Sequence, residues 1–466
     1  ESDIMAANAP EREMELVSGK NPTFGRMVSQ LRKRMDGETV QPLWKAVYRW
    51  YASREEWKER CGSAIRSLNY RNVAQKVDPE KVRAIFGYPA VSSVSRLERY
   101  AACPFSFFVQ YGLGARERKV YRLGAPDVGT FMHAVIERFS RLIERNNLSW
   151  RTISRDECQS MVSDIVDDML GRMKGSGIAA SRRYTVLASR LKRVVGRAVW
   201  IIAEHVRMGS FEPVDYEVGF GEGEKYPPIV LELPTGGKIY LQGRIDRVDE
   251  LDTPDGKYLR IIDYKSGYKG FKLSDVYYGL QIQLVTYLNA LWEEGAGTAG
   301  QGVAGQKPTH PAGILYFKID DPIIKSNARL SEEEAEKALR KQLRMKGLLL
   351  ADVRLIKEMD HSINGASTII PATLNKGDVL GKNTSAATKE QFAGLKRYMK
   401  KLLTSICTEI MRGNVSISPY RKNRMTPCDY CGFRAICQFD AAMPDNRYRI
   451  LQDISDDDVW NRIGQE

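Results

Sequence analysis

Apolar residues recur at helical spacing through the first half of the chain and again near its end. A period of three and four residues is typical of amphipathic helices, whose apolar stripe faces a core. It covers Pro42–Leu68, Gly129–Asn146, Asp156–Met173, Arg183–Val206, Glu332–Leu349 and Lys389–Met411. A further helix is predicted to begin near Ser92 and to continue toward Phe105.

Between these helical segments the apolar period changes to two, which is typical of strands. Alternation covers Tyr216–Phe220, Ile229–Leu233, Ile239–Val248, Tyr258–Tyr264 and Gly313–Ile319. A helix is predicted from Val276 to Trp292, and residues 295–313, rich in glycine, alanine and glutamine, predict a surface loop. Four strands, a helix and a fifth strand after a leading helix indicate an α/β core.

The chain has 466 residues, the length of two or three ordinary domains. We place a boundary near residue 88, so that residues 1–88 form a helical segment, 89–440 the α/β domain and 441–466 a carboxy-terminal tail. Basic residues exceed acidic residues by 71 to 58, and the resulting charge of +13 favours a polyanionic partner. No apolar run approaches the roughly 20 residues of a membrane span and no secretory signal begins the sequence, which predicts a cytoplasmic protein.

Two predicted strands and the turn between them bring acidic residues together. Asp252-Thr-Pro-Asp-Gly256 is a strong turn signal, and pairing about its centre sets Asp246 opposite Asp263 if no bulge intervenes. Facing carboxylates repel each other unless a cation lies between them, so the pair predicts a site for Mg²⁺, with Mn²⁺ as an alternative. Lys265 points the same way and would orient a water or stabilise charge on a phosphate. A salt-bridged hairpin without catalytic activity explains the same residues.

Three of the seven cysteines, Cys428, Cys431 and Cys437, lie close together in the sequence. Cys103 is the best candidate for a fourth ligand. The spacing permits zinc, and four thiolates also suit a [4Fe–4S] cluster. Either centre would tie the helix before the α/β core to the segment that follows it. The other cysteines, Cys61, Cys158 and Cys407, are interpreted as buried apolar residues.

A basic helix is the third candidate for chemistry. Arg190, Arg193 and Arg197 lie largely outside the apolar stripe of the segment Arg183–Val206. They form either a solvated helix face or a surface that contacts the phosphates of a nucleic acid.

The motifs together resemble the RecB-like branch of the PD-(D/E)XK nuclease superfamily. Its signature matches Gly243-Arg-Ile-Asp-Arg-Val-Asp249, Asp263-Tyr-Lys-Ser-Gly267 and Gln283-Leu-Val-Thr-Tyr287, although Arg-Ile-Asp replaces the usual leading Pro-Asp. The resemblance implies that His133, Asp246 and Asp263 bind metal together with the carbonyl of Tyr264. It further implies that Lys265 acts in catalysis and that Gln283 and Tyr287 contact the DNA strand being cut.

A more specific resemblance covers about residues 90 to 440. Ser92-x-x-Ser-Arg-Leu-Glu-x-Tyr-x-x-Cys103-Pro-Phe, Tyr111-Gly-Leu113 and the carboxy-terminal cysteines are similar to the nuclease domain of the AddB family of helicase–nuclease subunits. This resemblance implies that Cys103, Cys428, Cys431 and Cys437 hold a [4Fe–4S] cluster. It also implies an AddA partner and resection of double-strand DNA ends for recombinational repair, with cutting of the 5′-ended strand.

The sequence also departs from that family. Only residues 1–88 could be a remnant of its helicase-like part, and the chain contains no P-loop, so we expect no ATP hydrolysis by this chain alone. Two rivals remain at this point, a smaller Cas4-like exonuclease and a DNA-binding scaffold whose nuclease site is inactive. A zinc-stapled nuclease is also compatible with the cysteine spacing.

Overall fold

The structure is a computed structural model that describes residues 13–116, 118, 125–172, 182–267, 270–292, 307–326, 329–443 and 445–465. The chain divides into two compact units. The amino-terminal unit comprises Glu1–Val73 and Phe439–Asn446, and the large unit comprises Ala74–Gln438 and Arg447–Glu466. Most of the predicted loop at 295–313, up to residue 306, lies outside the described residues, as does Met173 at the predicted end of a helix.

Helices form the described core of the amino-terminal unit. They are α1 (Lys20–Met35), α2 (Pro42–Ala52) and α3 (Glu55–Leu68). Their apolar stripes enclose Met27 and Trp44, both of which are fully buried. The helical period predicted over residues 42–68 is confirmed, but as two helices, because the chain turns at Ser53 and Arg54.

The large unit alternates helices with strands. Its described helices are α4 (Pro79–Phe86), α5 (Val94–Ala102), α6 (Pro104–Phe107), α7 (Ala125–Arg145), α8 (Arg155–Arg172), α9 (Arg182–Arg207), α10 (Leu273–Tyr277), α11 (Gln283–Leu291), α12 (Glu332–Leu343), α13 (Val353–Met359), α14 (Lys389–Met411), α15 (Arg434–Cys437) and α16 (Asp456–Gln465). Its described strands are β1 (Ala90–Ser93), β2 (Glu212–Phe220), β3 (Ile229–Glu232), β4 (Lys238–Thr253), β5 (Gly256–Lys265), β6 (Thr309–Lys318), β7 (Lys346–Leu350), β8 (Gly365–Ala366), β9 (Thr373–Asn375), β10 (Val379–Leu380), β11 (Ala386–Ala387), β12 (Tyr420–Lys422) and β13 (Arg449–Leu451). Among the described helices, none combines the length with the apolar character that a membrane crossing requires.

A mixed sheet lies at the centre of the large unit, with strand order β1-β4-β5-β6-β7-β11 and with β2 and β3 also paired to β4. Strands β4 and β5 are antiparallel, whereas β5 and β6 are parallel. The β4–β5 ladder runs from Thr253–Gly256 to Arg247–Ile262, which confirms the register predicted from the turn. The predicted α/β class is therefore confirmed.

Helices cover both faces of this sheet. One apolar cluster joins α5, α11 and α14 to side chains such as Ile261, and the other joins α7, α8 and α9 to side chains such as Ile262. Ile245 and Val248 belong to the same cluster although they are three residues apart in β4. Because side chains of a regular strand alternate between faces, the alternation shifts by one residue next to Asp246.

Other predicted helices also differ from the structure. The helix predicted to begin near Ser92 begins at Val94, after β1, and is interrupted at Cys103. The segment Val276–Trp292 is not one helix, because the chain turns at Gly279, whose φ is +78°, and a new helix begins at Gln283. The helix predicted over Glu332–Leu349 ends at Leu343, and β7 follows. A Cβ on Gly347 would lie 2.0 Å from the carbonyl oxygen of Ile314, so glycine allows β7 to approach β6.

A buried charge cluster joins β4 to β5. Asp249 pairs across the strands with Arg260, and both Arg247 and Arg260 donate to its carboxylate. All three residues are at most 1% exposed. Burial opposes ionisation, but the two guanidinium charges hold the pKa of Asp249 below its ordinary value. Arg260 also lies 4.8 Å over the ring of Phe211.

We expect Asp249→Ala to lower the free energy of unfolding of the large unit by about 3–5 kcal/mol, because two buried guanidinium groups lose their counterion. Denaturant unfolding followed by intrinsic fluorescence measures the change. Asp252→Ala, which removes an exposed carboxylate paired with Lys307 near the same turn, is the control and should cost less than about 1 kcal/mol. Equal effects of the two substitutions would contradict this interpretation.

Candidate active site

A histidine and two acids from three elements of the large unit form a compact donor group. His133 lies on α7, Glu217 on β2 and Asp246 on β4. His133 Nδ1 lies 3.3 Å from Asp246 Oδ2 and 3.8 Å from Glu217 Oε1. One ligand atom from each residue lies within 4.8 Å of the others. Among the described residues, no other set of three or more histidine, cysteine, aspartate or glutamate side chains brings its ligand atoms this close together. An imidazole nitrogen with two carboxylates suits a divalent ion such as Mn²⁺ or Mg²⁺.

The strands force the two acids of this group together. Tyr216 pairs with Arg247 and Val218 with Ile245, so Glu217 lies between paired residues, opposite Asp246. Glu217 has a φ of +44°, which is unusual for a residue with a side chain. Such strain is found where a side chain is held for function, and here it accompanies a carboxylate aimed at a histidine.

The pKa values of His133 and Glu217 in this donor group differ from their ordinary values. Burial disfavours the imidazolium of His133, but bonds to Asp246 and Glu217 outweigh burial and raise its pKa to about 10. Burial raises the pKa of Glu217, although its contact with His133 opposes the rise. A metal ion entering the site must therefore displace a proton from His133.

Asp263 and Lys265, at the end of β5, lie beside the donor group and not within it. Asp263 is 1% exposed and forms an ion pair with Lys265. Lys265 Nζ donates to Gln283 Oε1 at 3.0 Å, and Gln283 Nε2 donates to the hydroxyl of Tyr287 at 2.8 Å. The structure thus brings together the predicted catalytic pair and both predicted DNA contacts.

Tyr264 connects these two parts of the site. Its backbone N–H donates to Asp246 Oδ2 at 2.7 Å, and its ring packs edge-on against the His133 ring with centroids 5.9 Å apart. Metal binding by its carbonyl stays a prediction. Burial raises the pKa of Tyr287 on α11, and the charges of Asp263 and Asp246 add to the rise, so both acids lie near this tyrosine.

Glu98 on α5 was not predicted as a site residue. Its Oε1 accepts from the backbone N–H groups of Ile282 at 2.9 Å and Gln283 at 3.2 Å, so it caps the helix that carries Gln283 and Tyr287. A negative charge at a helix amino terminus is stabilised by the helix dipole. Its only sequence signal is its place in the motif that ends at Cys103; the signal for Glu217 is weaker still, a lone acid on a strand.

The four predicted cluster ligands also lie near one another. Cys103 directly follows α5, Cys428 lies within a 3₁₀ turn (Pro427–Tyr430), Cys431 follows that turn, and Cys437 ends α15. Burial, together with the neighbouring cysteine thiols, raises the pKa of Cys428 to about 11. Backbone N–H groups of Ser106, Ser418 and Phe105 oppose the rise in pKa that burial produces at Cys103. Clustered thiols with amide donors fit a thiolate-bound metal centre.

The predicted phosphate-binding arginines of α9 have mixed environments. Arg193 Nε lies 2.6 Å from Asp321 Oδ2, and Arg197 also pairs with Asp321. Arg190 is exposed. Asp321 follows β6, whose last residue, Lys318, pairs with Lys265. Arg193 and Arg197 therefore lie near the carboxyl ends of β5 and β6, where the catalytic pair is found.

The sequence matches the family model described as the PD-(D/E)XK nuclease superfamily over residues 91–438. The chain belongs to this superfamily. Residues 9–67 match a second family model, described as the fifth domain of the ATP-dependent helicase/deoxyribonuclease AddB.

Curated relatives agree with both matches. The proteins named as the B subunits of ATP-dependent helicase/deoxyribonucleases from Acetivibrio thermocellus and Ruminiclostridium cellulolyticum are 61% and 52% identical over the whole of this chain. A protein of the same name from Clostridium novyi is 44% identical. The chain spans 40% of the length of each of these relatives. The resemblance to the AddB family predicted from the motifs is confirmed.

We expect Glu98→Ala to expose the first amides of α11, because removing a helix cap costs about 1 kcal/mol. Hydrogen exchange of the peptide covering Ile282 and Gln283 should become roughly fivefold faster by that cost. Asp352→Ala is the matched control, because Asp352 caps α13 by accepting from Arg354 and Leu355. Its effect should be confined to α13; unchanged exchange at α11 in Glu98→Ala would refute the capping contribution of Glu98.

Proposed function

We propose that this chain is a DNA-cleaving nuclease that uses Mg²⁺, or Mn²⁺ in its place, and that forms part of an AddAB-type helicase–nuclease. The observation that carries the proposal is the convergence of His133, Glu217 and Asp246 beside the Asp263–Lys265 pair. Superfamily membership gives the reaction class, hydrolysis of a phosphodiester. The names of the relatives support deoxyribonuclease activity within a helicase–nuclease.

His133, Glu217, Asp246 and Asp263 would hold the divalent ion. The ion, when bound, supplies the positive charge that offsets the carboxylates and polarises the attacking water and the phosphate. Lys265 holds its ammonium at the same place, where it orients the nucleophile and stabilises charge developing on the phosphate oxygens. Contacts with Asp263 and Gln283 keep this ammonium in position.

Gln283 and Tyr287 would place the scissile strand. Gln283 forms hydrogen bonds with Lys265 and with Tyr287. A nucleotide that contacts Gln283 or Tyr287 is therefore held at a fixed position relative to the catalytic lysine. Arg190, Arg193 and Arg197 would hold phosphates farther along the strand. We propose that the full assembly works in the cytoplasm with AddA, resects double-strand DNA ends for recombinational repair and directs the 5′-ended strand to this site.

We further propose that Cys103, Cys428, Cys431 and Cys437 hold a [4Fe–4S] cluster as a structural staple. Neighbouring thiols contribute to the raised pKa of Cys428, so a positively charged metal centre is the natural means of keeping all four deprotonated. The cluster would join the end of α5, the helix that carries Glu98, to the segment before α16.

The nuclease proposal predicts Mg²⁺-dependent shortening of end-labelled single-stranded DNA. Asp263→Asn and Lys265→Ala should each lower the rate at least about 100-fold, because each removes charge that acts on the reacting phosphate. Lys318→Ala is the matched control, because Lys318 pairs with Lys265 on the next strand but binds Asp320.

Gel analysis with 5′ and with 3′ labels also reports the polarity of cutting. Retention of activity in Asp263→Asn and Lys265→Ala would contradict the mechanism. A parent protein that binds DNA but does not cut it with Mg²⁺ or Mn²⁺, even after AddA is added, would favour the scaffold alternative.

The cluster proposal predicts brown protein after anaerobic purification, with broad visible absorbance and close to four irons per chain. Cys428→Ala should lose both signals, because a cubane cluster needs its fourth thiolate. Cys407→Ala, which alters a lone buried cysteine on α14, should retain them. If the parent protein is instead colourless and contains stoichiometric zinc, the cysteines hold a zinc staple and the iron–sulfur proposal is wrong.

A further inference from the structure

A basic groove follows the exposed side of α14. It has a volume of about 560 Å³ and is lined by Arg397, Lys400, Lys401, Thr404, Ser405, Thr408, Glu409, Arg412 and Pro234. None of these residues belongs to the candidate catalytic, metal-binding or cysteine groups. We call this surface the α14 groove.

The helix separates this groove from the protein core. Residues such as Phe392, Met399, Leu403 and Cys407 point into the apolar cluster and are at most 1% exposed. The groove residues instead recur at spacings of three and four on the opposite side, with Pro234, between β3 and β4, forming the facing wall. The α14 groove is therefore a continuous polar stripe on a rigid helix.

The charge of the groove is strongly positive. Arg397, Lys400, Lys401 and Arg412 contribute four cations, and Glu409 contributes the single acid among the described residues of the lining. Glu409 is engaged by Arg412 at 3.1 Å and by Asn414 at 3.1 Å. Across the part of the chain that the structure describes, no carboxylate forms an ion pair with Arg397 or Lys400, and both residues are exposed. A folded protein that leaves such cations adjacent and uncompensated has a surface suited to anions.

The dimensions favour an extended polyanion over a single small anion. Arg397 and Arg412 are fifteen positions apart on or just after α14, which corresponds to about 22 Å along a helix. Hydroxyls of Thr404 and Ser405 lie between the cationic ends. Phosphates repeated along a nucleic-acid strand would meet cations and hydroxyl donors in succession, and the described lining contains no aromatic ring for base stacking.

We propose that the α14 groove binds the phosphodiester backbone of DNA, independently of base sequence, as a second DNA-binding surface outside the cleavage site. The proposal rests on the proposed nuclease function for the identity of the polyanion. The groove holds a strand by charge and hydroxyl contacts, so that its contribution to affinity falls as salt concentration rises.

The test measures binding without cleavage. Fluorescence anisotropy in EDTA gives the Kd of a labelled 30-nucleotide single strand and of a blunt duplex over a range of salt concentrations. The variant Arg397→Gln/Lys400→Gln removes two groove cations. We expect about tenfold weaker binding near 0.1 M salt and, for the single strand, a salt slope smaller by about 1.4, because two fewer counterions are released. The DNA form whose binding the variant weakens more, single strand or duplex, is the form that the groove holds.

The matched control is Lys337→Gln/Lys341→Gln, which removes two exposed lysines from α12. It should leave both the affinity and the salt slope within twofold of the parent. Equal weakening in the two variants, or no weakening in the groove variant, would overturn the proposal.

Two further outcomes separate the alternatives. If poly-glutamate binds as tightly as DNA and loses affinity in the same groove variant, the surface accepts an acidic protein segment and the DNA assignment is wrong. Because the assay needs no hydrolysis, an inactive parent that still shows the variant-specific loss would leave the groove standing while the nuclease function fails.

Discussion

The pairing of β4 with β5 is held by a charge cluster that water does not reach. Asp249 accepts hydrogen bonds from Arg247 on its own strand and from Arg260, its cross-strand partner. A slip of one residue would move Arg260 to the other face of the sheet and leave buried charges without partners. The register that this cluster favours also sets the end of the β4–β5 ladder, and Asp246 and Asp263 lie directly beside its last pair, Arg247–Ile262.

The same two strands therefore carry acids with opposite charge environments. Asp249 has two guanidinium partners, and its negative charge is fully offset within the fold. Asp246 faces Glu217 and shares one imidazole with it, so the protein alone supplies at most one positive charge for two carboxylates. This contrast separates the structural acid from the acids that are prepared for a cation, although all three lie close in sequence or register.

Much of this site was accessible from the sequence, for local reasons. The turn at Asp252–Gly256 specified the β4–β5 register, and the period of α7 placed His133 on a helix before the sheet. Glu217 was harder to predict, because its position depends on a register shift after Pro213 and on a backbone conformation with positive φ. The strand β7 was mistaken for helix because a leucine run fits both periods, and its pairing with β6 decides between them.

Long-range contacts account for the other omissions. Glu98 reaches Gln283 across 185 positions of sequence, and Asp321 reaches Arg193 across 128. Nothing in the local pattern of either segment indicates its partner. The sequence pattern predicts an open basic face on α9, but an acid from a distant loop partly neutralises its arginines. Arg397 and Lys400 on α14, by contrast, keep their charge exposed.

The end of α5 connects the cysteines to the catalytic helix. Glu98 and Cys103 lie on successive turns of the same segment, so a displacement of Cys103 would be carried to the cap of α11. Protein contacts also hold this region: Arg449 donates to the carbonyls of Ala101 and Ala102, and the buried Lys422 binds Asp275 at 2.6 Å. A metal centre at the cysteines would therefore reinforce an arrangement that hydrogen bonds already define. Loss of that metal centre would loosen the α11 cap before the sheet unfolded.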